Sequence, residues 1–178
     1  MYVLPPEASE AEFRELLAYW QSKLLPGRLP GRRHIDPAEL QPRHLSQLLL
    51  LEVVEPAVQK LRRRYRFRVA GTGFSAIAGR DATGLYYDEV GGPERTAPVI
   101  KALDLVVERK APVYLSGPLG VPTRDHNWVK RLGLPLAHDG ETVDMILAVW
   151  IAERRSMADL ARGNLEPGAG ELQVLEQR

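Results

Sequence analysis

Eight consecutive apolar residues near the end of the chain, Met145 to Ala152, constrain its fold most. A membrane helix needs about 20 such residues, so this run reads as a strand. Met145, Leu147, Val149 and Ile151 then point one way, and Ile146, Ala148, Trp150 and Ala152 the other. A strand apolar on both faces lies in the middle of a sheet and is covered on both sides. The rest of the chain must therefore supply a layer to each face.

Two helices can do so. Residues 9–24 carry Phe13, Leu16, Leu17, Trp20 and Leu24 at helical spacing. Ser9 and Glu12 form a capping box at the start, and Pro26-Gly27 stops the helix. Residues 94–110 carry a second stripe, Val99, Leu103, Val106 and Val107. Between the two, Asp36-Pro37 reads as a helix start. A buried strand is expected over 48–55 and an alternating one over 64–70, with the hairpin turn in 60–63. Residues 71–92 are glycine-punctuated and suit short helices and turns. Strands are expected at 113–117, 128–137 and 143–152, with a turn at His138-Asp139-Gly140. Strands grouped on both sides of a helical middle indicate an α+β domain rather than a βαβ repeat. The expected division is 1–26 for the N-terminal helix, 27–155 for the main domain and 156–178 for a loose tail.

The chain has 178 residues, which suits one domain. It has no cysteine, which excludes disulfides, thiolate metal sites and a cysteine nucleophile. Its net charge of +1 gives no global attraction for nucleic acid or membrane. The first ten residues show no signal-peptide pattern, so a cytoplasmic location is expected.

The order of elements, with Tyr65-Arg66-Phe67-Arg68-Val69-Ala70-Gly71-Thr72, Phe74, Gly79-Arg80-Asp81-Ala82-Thr83-Gly84 and Asp88-Glu89, resembles the PAS-like family of short alphaproteobacterial proteins. Trp20, the loop 29–33, Asp36-Pro37 and Leu134-Pro135-Leu136 match the same pattern. The resemblance implies a five-stranded antiparallel sheet of order 2-1-5-4-3. The residues agree independently: the arginine-rich second strand and the third strand, ending at Gly117-Pro118, have edge character.

Several motifs bear on function. Gly71-Thr72-Gly73-Phe74-Ser75-Ala76 matches the dinucleotide fingerprint G-x-G-x-x-G/A. That fingerprint needs a buried parallel strand and a long helix, whereas here the preceding strand is charged on one face and Gly79 cuts the helix short. The four histidines, His34, His44, His126 and His138, lack HExxH spacing, and residues 94–110 contain none. Neither haem nor a flavin–thiol photosite is expected, and no metal or other cofactor. Lys60, Arg62, Arg63, Arg64, Arg66 and Arg68 suit either a phosphate track or a guarded sheet edge. No catalytic constellation is visible, so an enzyme is not expected.

The expectation is a sensory or interaction module. A small apolar ligand would sit between helices and sheet, against Phe74, Ile77, Leu103, Val106 and Val107 from the helices. From the sheet it would meet Phe67 and Val69, Leu115, Leu132 and Leu134, and Met145, Leu147 and Val149. Arg80 and Asp81 are candidates to relay a change. Phe13, Leu16, Leu17 and Trp20 would face either the chain's own sheet, a partner or a second copy in a homodimer. Output would pass through a separate signalling protein. The alternatives are nucleic-acid binding through the arginine strand, or a ligand-free structural domain.

Overall fold

The structure is a computed structural model of the chain; it describes residues 1–57, 62–118, 127–154 and 171–177. Part of the expected hairpin turn at 60–63, His126 and the segment 163–170 lie outside the described residues. Helix α1 (Ala11–Ser22) is followed by two single turns of 3-10 helix (Arg32–His34 and Pro37–Glu39) and a short α2 (Pro42–Leu45). Strands β1 (Leu48–Val54) and β2 (Arg64–Ala70) lead into α3 (Thr72–Ala78), α4 (Tyr87–Gly91) and α5 (Pro93–Arg109). Then come β3 (Val113–Pro118), β4 (Asn127–Leu136), β5 (Met145–Arg154) and β6 (Leu172–Val174).

The sheet order is β2-β1-β5-β4-β3-β6, with every pairing antiparallel. This is the expected five-stranded order with a sixth strand added. The tail therefore ends in structure: Leu172 to Val174 pair with Leu115 to Val113, and the Ser116 N–H donates to Glu171 O. β3 is consequently not an edge, and its unfavourable terminal Gly117-Pro118 lies just beyond the β6 pairing. β5 runs through the middle, between β1 and β4.

Each face of the sheet has its own core. On one face α1 lies over Leu48, Leu50, Leu132, Leu134, Leu147 and Val149. Phe13, Leu16, Leu17 and Trp20 are all buried there, and the Trp20 indole N–H donates to Pro135 O at 2.8 Å. The stripe is thus consumed by the chain's own sheet and presents no surface to a partner or second copy. The helix starts from Glu10 rather than Ser9, whose carbonyl instead accepts from Arg14. On the opposite face α3, α4 and α5 cover Leu49, Leu51, Phe67, Leu115, Ile146 and Trp150.

One irregularity redirects a side chain. Leu50 pairs with Val69 and Leu51 with Phe67, so Arg68 is an extra residue in β2. A bulge of this kind breaks the two-residue alternation. Phe67 faces the α3–α5 layer, while Val69 shares the side of Leu50 and is exposed. Among the described residues no helix is long and apolar enough to cross a membrane.

Candidate functional site

The fingerprint glycines have a structural use. A Cβ on Gly71 would lie 2.4 Å from Ser46 O, and one on Gly73 2.8 Å from the same oxygen. Only glycine lets α3 begin this close to the α2–β1 turn. The Gly71 and Gly73 N–H groups donate to Leu48 O and Ser46 O, each at 2.8 Å, and are spent within the chain rather than turned towards a phosphate.

The segment after α3 also serves the fold. Asp81 Oδ1 accepts the Thr83 N–H at 2.9 Å, which holds its carboxyl below the ordinary value. Gly84 N and Leu85 O then bond to the outer edge of β2 at Phe67, and Ala82 is fully buried. Arg80 donates to Glu89 O of α4 at 3.0 Å. The two relay candidates therefore sit where α3, α4 and β2 are joined.

The arginines of β2 are engaged with acids. Arg64 bonds Asp88 at 2.9 Å and Glu89 at 3.1 Å, and lies 3.7 Å above the Tyr86 ring. Arg66 bonds Glu52 at 2.5 Å, and Arg68 approaches the same carboxylate at 3.8 Å. These pairs offset the positive charge a phosphate track would need, and the strand reads as a neutralised edge.

A buried cavity of about 30 Å³ lies between the sheet and α5. That is close to one water's share of liquid volume. Its helical wall is Val99, Ala102, Leu103 and Val106 from α5, with Tyr87 from α4. Its floor includes Leu49 and Leu51 from β1, Leu115 from β3, Arg131 and Gly133 from β4, and Trp150 from β5. Gly133 leaves room in the floor: a Cβ there would stand 3.2 Å from a Val106 methyl. Beside the cavity an aromatic group joins the short helices to the sheet. The Phe67 ring lies 5.1 Å from Phe74 and 5.0 Å from Tyr87, and Phe74 meets Trp150 edge-on at 6.0 Å. Tyr65 OH donates to Asp104 Oδ1 of α5 at 2.6 Å, and burial raises its pKa.

The expected ligand-pocket residues divide between the two faces. Phe67, Phe74, Ile77, Leu103, Val106, Val107 and Leu115 pack in the α3–α5 layer, and Leu103, Val106 and Leu115 border the cavity. Leu132, Leu134, Met145 and Leu147 lie on the α1 face. Val149 borders the cavity but packs with the α1-face cluster, and Val69 is exposed by the bulge. For the β4 and β5 residues the cause is that both faces of β5 are apolar, so alternation alone does not say which face the middle helices cover.

The two most distinctive cavity residues are absent from the expected set. Arg131 is only 9% exposed, although it carries a charge. Its guanidinium donates to Val129 O at 3.3 Å and Pro118 O at 3.2 Å. Burial pushes its pKa below the ordinary value, and Tyr87 beside it pushes the pKa back up. Trp150 lies directly opposite Arg131 in register, hence on the same face. Its indole nitrogen is buried without a hydrogen-bond acceptor. Among the described residues no group of three or more histidines or acids is placed to hold a metal ion.

A family model described as PAS domain matches residues 8–151, which includes α1 as well as the sheet and the middle helices. No curated protein and no solved structure matches the chain.

Proposed function

The chain belongs to the PAS-domain family, and on that premise we propose that it senses a small molecule held beneath α5 and passes the occupancy to a separate signalling protein. The cavity is the observation that carries this reading. It is buried, mostly apolar-walled and roofed by one long helix. A ligand larger than water would lift α5 away from β3 and β4. The motion would reach the surface through Tyr65–Asp104 and through α4, where Arg64 and Arg80 hold Asp88 and Glu89. Differential affinity for the two positions of α5 is what would convert binding into a signal. The proposed role is binding and relay rather than catalysis. A homodimer would have to use a surface other than the buried stripe of α1.

Mass spectrometry of an organic-solvent extract of the purified protein tests this. A small molecule at near-stoichiometric amount is expected. An empty extract, together with no small molecule that raises Tm, would contradict ligand sensing. It would support the second reading, a ligand-free interaction domain, which the small cavity volume favours.

A further inference from the structure

We propose that the first turn of α5, Pro93 to Ala97, is a gate hinged at Gly92 and Pro98, through which the cavity opens to a groove beside the end of β1. This rests on the reading that the cavity beneath α5 holds a small molecule, and it supplies the way in. The cavity lies under α5, so a ligand must displace part of that helix to reach it.

Two backbone features bound this turn. Gly92 joins α4 to α5 with φ 82° and ψ 152°, a combination open to glycine alone. No atom stands within 4 Å of where its Cβ would be, so the requirement is conformational rather than one of space. Pro98 lies inside α5 and has no N–H, so the Glu94 carbonyl loses its partner in the helical ladder. Hinges are a few positions of this kind at the ends of elements. Of residues 93–98 only Thr96 is buried. Its N–H and its hydroxyl both donate to Gly92 O, at 3.1 and 2.7 Å, and close the turn on the joint. The second half of α5 differs: Ala102, Leu103 and Val106 are buried on the sheet, and Asp104 accepts from Tyr65 OH. A segment that buries little opens locally at low free energy, so the first turn opens ahead of the second half.

Adjacent residues face two different spaces. Tyr87 and Val99 border the cavity, whereas Asp88 and Ile100 border a groove of about 370 Å³. Pro93, Thr96 and Ala97 line the same groove, together with Val54 and Pro56. Its size falls within the roughly 300–1,000 Å³ of small-molecule pockets, so it admits a ligand that the cavity receives only as α5 yields. The start of α5 parts the groove from the cavity, and a swing of its first turn about Gly92 and Pro98 joins them.

The test uses the full chain. It has no cysteine, so one introduced thiol is a unique reporter. Val99→Cys places it on the cavity wall beside the gate, and Val113→Cys on the wall formed by β3; both positions are buried. With the fold intact, Val99→Cys should react with a thiol reagent at least about tenfold faster than Val113→Cys. Adding Pro98→Ala restores the N–H for the Glu94 carbonyl, and should slow Val99→Cys about tenfold and Val113→Cys much less. If either cysteine variant does not fold, hydrogen exchange of the unaltered chain reads the same opening. The amides of Thr96, Ala97, Val99 and Ile100 should then exchange at least about tenfold faster than those of residues 103–107. Equal thiol reactivity at the two sites, a Pro98→Ala that slows both alike, or uniform exchange along α5 would overturn the gate and leave ligand sensing intact. An empty solvent extract, with no small molecule that raises Tm, would overturn ligand sensing and the gate's role with it.

Discussion

The two faces of the sheet bury similar side chains and finish them differently. Beneath α1, Phe13 and Trp20 are fully buried, and the indole N–H of Trp20 reaches Pro135 O. Beneath α5, the indole N–H of Trp150 has no acceptor, a charged Arg131 is enclosed, and a small void remains. Trp20 thus has its acceptor beneath α1, whereas Trp150 has none beneath α5. Complete packing holds the sheet in one arrangement. Incomplete packing lowers the cost of moving the helix above it, which a responsive element needs. One face thus acts as the frame and the other as the candidate site.

Truncation on the frame should produce the largest effect. Trp20→Ala removes a fully buried ring and strands the Pro135 carbonyl, and should cost about 3–5 kcal/mol by denaturant unfolding. A loss below about 1 kcal/mol would mean α1 is not fixed to the sheet. A paired enlargement sharpens the comparison. Ala8 is fully buried on the α1 face, so Ala8→Val should cost about 1–3 kcal/mol through overpacking. Ala102 borders the cavity, so Ala102→Val should cost less than about 1 kcal/mol while blocking any ligand-induced rise in Tm. Equal costs at the two sites would remove the distinction.

How far this division was readable beforehand differs from strand to strand. β5 announces itself as central because both its faces are apolar, and β2 announces an edge by its arginines. Which apolar face meets which helix is not encoded in alternation, so Leu132, Leu134, Met145 and Leu147 were expected on the wrong side. Val69 escapes for another reason: the extra residue Arg68 shifts the register, and no glycine or proline marks the bulge. β6 is only three residues long and gains its stability from pairing with β3. Arg131 carried a signal that alternation could have used. Lys130 shares a face with Leu132 and Leu134 and reaches Glu10 at 2.6 Å from the sheet's end. Arg131 must then share the opposite face with Val129 and Gly133, beneath the helices, where a charge is costly.

Smaller effects refine the same contrast. Tyr65→Phe removes the bond to Asp104 that ties α5 to β2, and should cost about 1 kcal/mol. The change should accelerate amide exchange in α5 and leave α1 unaffected. Acceleration of both helices would show that the faces open together.

The smallest effect is a control at the β4–β5 turn, away from both helical layers. Asp139 accepts the N–H groups of Glu141 at 2.8 Å and Thr142 at 2.7 Å. These bonds, that of Glu141 foremost, hold its pKa at about 2 rather than the ordinary 3.8. The unfolded chain therefore binds this proton more readily than the folded one. The stabilisation is complete above the unfolded value and is lost as pH falls from 3.8 towards about 2. Asp139→Ala should flatten the dependence of Tm on pH in that window, with the contrast between α1 and α5 unchanged. An unaltered slope would remove Asp139 as its source.

Native-state hydrogen exchange of the full chain tests the central contrast most directly. Amides of α3, α4 and α5 should exchange through local openings with free energies below that of global unfolding, while the buried turns of α1 and the centres of β1, β4 and β5 exchange only on global unfolding. An α1 that exchanges ahead of α5 would contradict the assignment of frame and site.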